Sequence, residues 1–256
     1  MKQSLLQQAE VFQDPITLFV PCLVDQFFPE VAISTLKILK FLGYNVIYPS
    51  KQTCCGQPAF NAGYREEASK LAQHFLTTFK DAGIIVCPSG SCVGMVRYHY
   101  QTLTLPEKYQ KIHQALKENI FEFSEFLFQQ RVSAAITGSF PYTVNYHHSC
   151  HSLRELGLKE EPLSILRNLH DINLIEIPQA QEECCGFGGT FSVSFPALAT
   201  AMVYQKVRAL ADTNADFVVA NDVSCLMHLE GALHRLQKKI VPLHLATLLT
   251  RAMHLD

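Results

Sequence analysis

A chain of 256 residues, 48% hydrophobic and 17% charged with no low-complexity tract, is long enough to bury one large core or two smaller ones. A net charge of −2 and a pI near 6.6 argue against a general nucleic-acid or anionic-membrane binder. No apolar run reaches the roughly 18 residues that span a bilayer, and the opening MKQSLLQQAEVFQDP is too polar for a secretory core, so a cytoplasmic location is expected.

Short β-rich runs alternate with amphipathic helical patterns along the chain. In the first half, strands are predicted at residues 16–20 (ITLFV), 45–49 (NVIYP) and 83–87 (GIIVC), with helices at 29–42 and 66–81. A helical insertion is expected at 101–118, ahead of NIFEFSEFLFQQ (119–130), a strand that runs into a helix. Ser, Gly and Pro then cluster at 131–141, which sets a boundary between units 1–135 and 136–256. The second half repeats the plan, with strands at 143–147, 172–177 and 216–221, a helix at 196–212, and a closing strand and helix at 239–252. Such alternation builds parallel sheets covered by helices. The expected fold is therefore α/β: two tandem Rossmann-like repeats related by pseudo-twofold symmetry.

Nine cysteines in a reducing compartment point away from disulfides and toward metal or catalysis. Eight of them recur with the elements. Cys22, Cys54, Cys55 and Cys92 read C-x31-CC-x36-C, and Cys150, Cys184, Cys185 and Cys225 read C-x33-CC-x39-C. Adjacent cysteines rarely bond to each other, because so small a ring strains the backbone and the disulfide torsion. Every member of both sets follows a predicted strand, at the carboxyl edge where α/β sheets bind ligands. Several also precede helices, whose positive ends favour thiolate. The glycine after each pair, Gly56 or Gly186, permits positive φ and lets backbone N–H groups face the sulfurs. Four thiolates per half suit a four-cysteine zinc site or an iron–sulfur cluster. Structural zinc usually takes close C-x2–4-C pairs from one knuckle, so ligands this dispersed favour iron and sulfide. A zinc-binding structural module stays open, as does a metal-free thiol–disulfide reductase using Cys54/Cys55 or Cys184/Cys185 directly.

These two patterns, with CPSGSC at 87–92 and CCGFGGTFS at 184–192, resemble the cysteine-rich CCG domain family. Its members include the cysteine-rich subunit of heterodisulfide reductase and the iron–sulfur subunits of glycolate oxidase and anaerobic glycerol-3-phosphate dehydrogenase. The resemblance spans about residues 15–249. It implies iron–sulfur clusters of the 4Fe–4S type, one or two per chain, the first four cysteines holding one and the second four the other. It also implies an electron-transfer subunit of a redox complex rather than a complete enzyme. A short chain of two such domains is most similar to the branch that oxidises L-lactate to pyruvate, beside other subunits that include a ferredoxin-like iron–sulfur protein. Oxidation of another 2-hydroxy acid or of glycerol-3-phosphate is the alternative task. The fullest family pattern ends in C-x-x-C, whereas Ser89 and Asp222 stand three residues before Cys92 and Cys225. Each half thus keeps four cysteines, which suits an ordinary cubane. Asp222 could add an oxygen ligand, against the preference of this chemistry for thiolate.

Other residues are weighed against plainer roles. Cys87, whose counterpart is Ala220, lies in an apolar strand and reads as a small buried hydrophobe. His147, His148 and His151 in NYHHSCH could ligate metal, shuttle protons or bind an anionic substrate, and the first half has no histidine there. A satisfied histidine at a strand end is an equal reading for His147 and His148, while His151 is placed for a supporting role beside a ligand. Lys51 and Arg97, near the same edge, could balance thiolate charge or attract a carboxylate, or stay solvated. Neither G-x-G-x-x-G nor a Walker lysine occurs at a strand end, so the chain shows no nucleotide site of its own. A dehydrogenase needs a hydride acceptor, which again points to one subunit of an assembly.

Overall fold

The computed structural model describes residues 15–177 and 183–255; the polar stretch at the N-terminus lies outside them. Eight strands form two parallel sheets. The first holds β1 (Ile16–Leu18), β2 (Val46–Ile47), β3 (Ile84–Cys87) and β4 (Ile120–Glu122) in the order β2-β1-β3-β4. The second holds β5 (Thr143–Tyr146), β6 (Asn173–Ile175), β7 (Phe217–Ala220) and β8 (Val241–His244) in the order β6-β5-β7-β8. The two orders are the same, and the duplication read from the sequence is present in the fold. Registers match as well: Leu18 pairs with Val86 where Tyr146 pairs with Val219. The strands at both outer edges are shorter than expected. β2 stops at Ile47, two residues before Pro49, whose missing N–H cannot continue a ladder.

Helices cover the sheets because their apolar residues return every three or four positions. In helix Pro29–Phe41 the buried stripe is Val31, Ser34, Thr35, Ile38 and Leu39, and proline stands at the first turn where no N–H is needed. The expected insertion forms a short 3-10 turn at Tyr100–Thr102 and a helix at Glu107–Leu116, started by Pro106. β4 and β8 run straight into helices Phe123–Gln129 and Leu245–Ala252. Their last residues act as N-caps: the Glu122 carboxylate accepts from the Ser124 and Glu125 amides, and His244 Nδ1 accepts from the Ala246 amide.

Each repeat lends that last helix to the other. Helix Leu245–Ala252 packs on helix Pro29–Phe41, and helix Phe123–Gln129 packs on helix Glu160–Arg167. The largest core therefore crosses the molecule, with Ile38, Leu39 and Phe126 from one repeat meeting Leu166, Leu248 and Leu249 from the other. At about 1.5–3 kcal/mol for each such side chain removed from water, this shared core fixes the two carboxyl edges against each other. The cysteines sit on those edges.

Candidate metal centre

Each cysteine follows a strand, as expected. Cys22 opens helix Cys22–Phe27 behind β1, and Cys54 and Cys55 lie between β2 and helix Gln57–Asn61. Cys92 lies in helix Gly90–Gly94 behind β3. In the second repeat Cys150 opens helix Cys150–Arg154, Cys184 and Cys185 precede helix Phe191–Ser194, and Cys225 lies in the first turn of helix Val223–Arg235. The sulfurs converge within each repeat. Sγ–Sγ separations are 3.5 Å for Cys22–Cys54 and for Cys55–Cys92, 3.9 Å for Cys150–Cys184 and 3.2 Å for Cys185–Cys225.

All eight sulfurs line one cavity of ≈ 270 Å³, walled further by Leu23, Pro58, Phe187 and Val223. In each set two cysteines are buried (Cys55 and Cys92, Cys185 and Cys225) and two are half-buried toward the cavity. All nine cysteines are free thiols.

The double-cysteine turns depend on their glycines. Gly56 has φ +88° and Gly186 has φ +83°, and their N–H groups point at the Sγ atoms of Cys54 (3.4 Å) and Cys184 (3.3 Å). A methyl group on Gly186 would meet Ala199 O and Met202 Cβ at 2.9 Å, while on Gly56 it would meet Leu71 Cβ at 3.3 Å. The thiols also share protons. A hydrogen bond from Cys22, then one from Cys55, pulls the Cys54 thiol far below its ordinary range, and Cys150 followed by Cys185 does the same for Cys184. Cys22 and Cys150, the donors, are pushed up correspondingly. Thiolates prepared in this way lower the proton-release cost of binding a cation. Four soft sulfur donors per set, with amide N–H groups on the sulfurs, fit an iron–sulfur cluster or zinc.

The candidate residues around the sulfurs separate sharply. His147 is buried, and one of its ring nitrogens and the Sγ atoms of Cys185 and Cys225 all lie within 4.8 Å of one another. Burial, reinforced by Lys206, holds its imidazole down to about 3, so it is neutral. His148 turns away and meets the edge of the Tyr146 ring at 4.8 Å. His151 lines the cavity, with Nδ1 3.6 Å from Cys150 Sγ and Nε2 accepting from Gln57 of the first repeat at 3.3 Å.

Arg97, Lys51 and Asp222 take other places. Arg97 does not face the sulfurs: its guanidinium forks onto Glu125 at 2.8 and 2.9 Å and donates to Ile120 O. Lys51 is exposed and is not among the residues that line the cavity. Asp222 is taken up by hydrogen bonds from the first repeat and from its own. Ser89 Oγ and Ser91 Oγ donate to Oδ1 at 3.0 and 2.8 Å, and the Ser91 amide and Ser149 Oγ donate to Oδ2 at 2.9 and 3.3 Å. It is a buried knot between the repeats at the floor of the site. Cys87 is fully buried and outside the cavity lining, as expected, yet its thiol also hydrogen-bonds Cys92 and helps hold that thiol down to about 5, after the larger effect of Cys55.

Lys206 belongs to no motif in the sequence. It is buried in helix Pro196–Ala211 between Val203 and Leu210, and Nζ donates to Glu183 O at 3.3 Å beside the second cysteine pair. A lysine on an otherwise apolar helical stripe was the available signal.

The cysteine-rich CCG domain profile matches twice, over residues 16–97 and 144–230. The chain belongs to the cysteine-rich CCG domain family. Within that family it is 38% identical over 234 residues to Lactate utilization protein A of Bacillus pumilus, covering 91% of this chain and 98% of that one. It is equally similar to the protein of that name from Halalkalibacterium halodurans, at 38% over 91% and 96% of the two chains. The Geobacillus protein of the same name is 36% identical. Among solved structures, glutamate racemase from Francisella tularensis aligns over 94% of this chain and 79% of its own at 10% identity, with a TM-score of 0.39. That likeness is too loose to bear on the site.

Proposed function

We propose that this chain is an iron–sulfur electron-transfer subunit of a redox complex that oxidises L-lactate to pyruvate. The observation that carries the reading is the convergence of two four-sulfur sets on one cavity in a chain 38% identical to proteins named for lactate utilisation. Cys22, Cys54, Cys55 and Cys92 would hold one 4Fe–4S group and Cys150, Cys184, Cys185 and Cys225 another, with residues 1–135 and 136–256 as the two units. Such groups supply one-electron transfer. The chain's own part is to hold eight sulfurs in place, to shield four of them from solvent, and to present the Gly56 and Gly186 amide N–H groups to Cys54 and Cys184. Other subunits, a ferredoxin-like iron–sulfur protein among them, would bring the substrate site and the onward electron path. The assembly would work in the cytoplasm. No helix among the described residues is long and apolar enough to cross a membrane.

Zinc is the second reading. Sulfur separations of 3.2–3.9 Å lie near the edge of about 3.8 Å expected for a tetrahedron with zinc–sulfur bonds of about 2.3 Å. Against it stands the origin of each set in three separate loops, where structural zinc takes short-range pairs.

Iron, acid-labile sulfide and zinc measured on protein purified without oxygen, together with the visible spectrum, test the proposal. About eight irons and eight sulfides per chain and a brown absorbance that bleaches on reduction are expected for two cubanes. Stoichiometric zinc without sulfide would contradict electron transfer and leave a structural metal module.

A further inference from the structure

The two cysteine sets are built alike, but the residues behind them are not. Phe19 is the first residue past β1 and donates its N–H to Val86 O; His147 is the first past β5 and donates its N–H to Val219 O. The two therefore occupy the same place in the two repeats. Gly56 abuts Ala68 and Leu71 where Gly186 abuts Ala199 and Met202, and the same offset sets Lys206 opposite Phe75. In the first repeat this layer is aromatic, with the Phe19 ring edge-on to Phe75 at 4.9 Å and to Phe79 at 5.5 Å. In the second it is polar, with His147 next to the sulfurs and Lys206 behind it.

A polar layer in a buried position requires partners. His147 is 1% exposed, and neither ring nitrogen has a hydrogen-bond partner among the described residues. Leaving both unsatisfied carries a desolvation cost that a merely structural residue at this position would avoid by being phenylalanine, as in the first repeat. The nearest soft groups are the Sγ atoms of Cys185 and Cys225, within 4.8 Å of a ring nitrogen.

We infer that His147 is a fifth donor to the metal group of the second cysteine set, making that site a mixed nitrogen–sulfur one where the first is sulfur alone. The inference rests on the metal-binding reading above and deepens it. A neutral imidazole brings a nitrogen and a ring N–H to the group without adding negative charge, and polar surroundings of this kind, where the first set faces phenylalanine, raise the potential of iron–sulfur centres. Lys206 acts in the same direction. The second group is then the easier of the two to reduce, and an electron shared between them resides in the second repeat.

The test is pulsed electron paramagnetic resonance on the reduced wild-type protein, with natural-abundance and with 15N-histidine labelling, after iron and sulfide have been counted on the same sample. The expected result is a nitrogen coupling on one of the two cluster signals that changes with histidine labelling and is lost in His147→Phe. In that variant a potentiometric titration should bring the two midpoint potentials together. His228→Gln, which alters another histidine near Cys185, should keep the coupling. No histidine-dependent coupling on either signal, or a coupling that survives His147→Phe, overturns the inference while leaving the iron–sulfur reading intact. The wild-type measurement stands alone should His147→Phe fail to fold. If the sample holds zinc without sulfide, the electron-transfer reading fails separately. The zinc absorption edge then decides the same question: a nitrogen in the sulfur shell that His147→Phe removes supports His147 as a donor, and an all-sulfur shell overturns it.

Discussion

Behind the first cysteine set stand Phe19, Phe75 and Phe79; behind the second stand His147 and Lys206. Strand order, register, the double cysteine and its left-handed glycine are common to both repeats, so the scaffold that gathers four sulfurs is indifferent to what lies one layer back. That layer sets the charge and polarity felt by whatever the sulfurs hold. A duplicated fold has in this way come to offer two sites of one geometry and two electrostatic characters, 128 positions apart at Phe19 and His147.

The largest difference between the repeats is expected from one substitution made in each. Gly186→Ala forces a methyl group to 2.9 Å from the backbone oxygen of Ala199, so the backbone must move and the double-cysteine turn with it. A loss of about 3–4 kcal/mol and an emptied second site are expected, combining left-handed strain with overpacking. Gly56→Ala meets nothing nearer than Leu71 Cβ at 3.3 Å and should cost about 1–2 kcal/mol with the first site still loaded. Denaturant midpoints and metal content on the two variants give the comparison; equal losses would contradict it.

Next is the joint between the repeats. Asp222→Ala removes the acceptor of the Ser91 amide and of the Ser89 and Ser91 hydroxyls, while Ser149 keeps Ser152, and a loss of about 2–4 kcal/mol is expected from chemical denaturation. Ser89→Ala, which removes one donor to Asp222 and the N-cap acceptor of the Cys92 amide, should cost about 1–2 kcal/mol.

The equivalent caps Glu122 and His244 should give opposite pH responses. Burial raises Glu122 to about 8 from 4.5, so the folded chain keeps a proton that the unfolded chain releases. Its contribution is full below pH 4.5 and is lost as pH rises through about 8. Burial lowers His244 to about 4 from 6.5, so its contribution is full above pH 6.5 and is lost as pH falls through about 4. Stability measured against pH should lose its alkaline decline in Glu122→Gln and part of its acid decline in His244→Gln. The remaining acid decline is shared by His147, His148, His113 and His228, which burial also holds down.

The smallest effect is expected at Cys87. Cys87→Ala should leave metal content at the wild-type level and cost about 1 kcal/mol of packing. A drop in metal content would make the ninth cysteine a ligand and the first site five-sulfur.

The fold was legible because its signals are local. Strand runs, helix stripes and the C-x31-CC-x36-C pattern each lie within one stretch of chain, and repetition confirmed them. The cysteine sites were legible for the same reason, since strand ends converge in any parallel sheet. What stayed hidden depends on contacts across the duplication. Nothing near Asp222 in the sequence names Ser89 and Ser91 as its partners, 133 and 131 positions away. Arg97 read as a free charge because Glu125, its partner, belongs to an element 28 residues on. His147 and His148 are neighbours with the same residue type, and only the pleat of the strand end decides which one turns to the sulfurs.

On the proposed reading the eight cysteines make two separate metal sites. Iron and sulfide per chain, counted without oxygen in wild type, Cys55→Ala and Cys185→Ala, test it most directly. Each variant should keep about half of the wild-type iron and sulfide, with nitrogen coupling retained in Cys55→Ala and absent in Cys185→Ala. Loss of all iron in both variants would show one shared site across the cavity, and full retention in either would show that its double cysteine holds no metal.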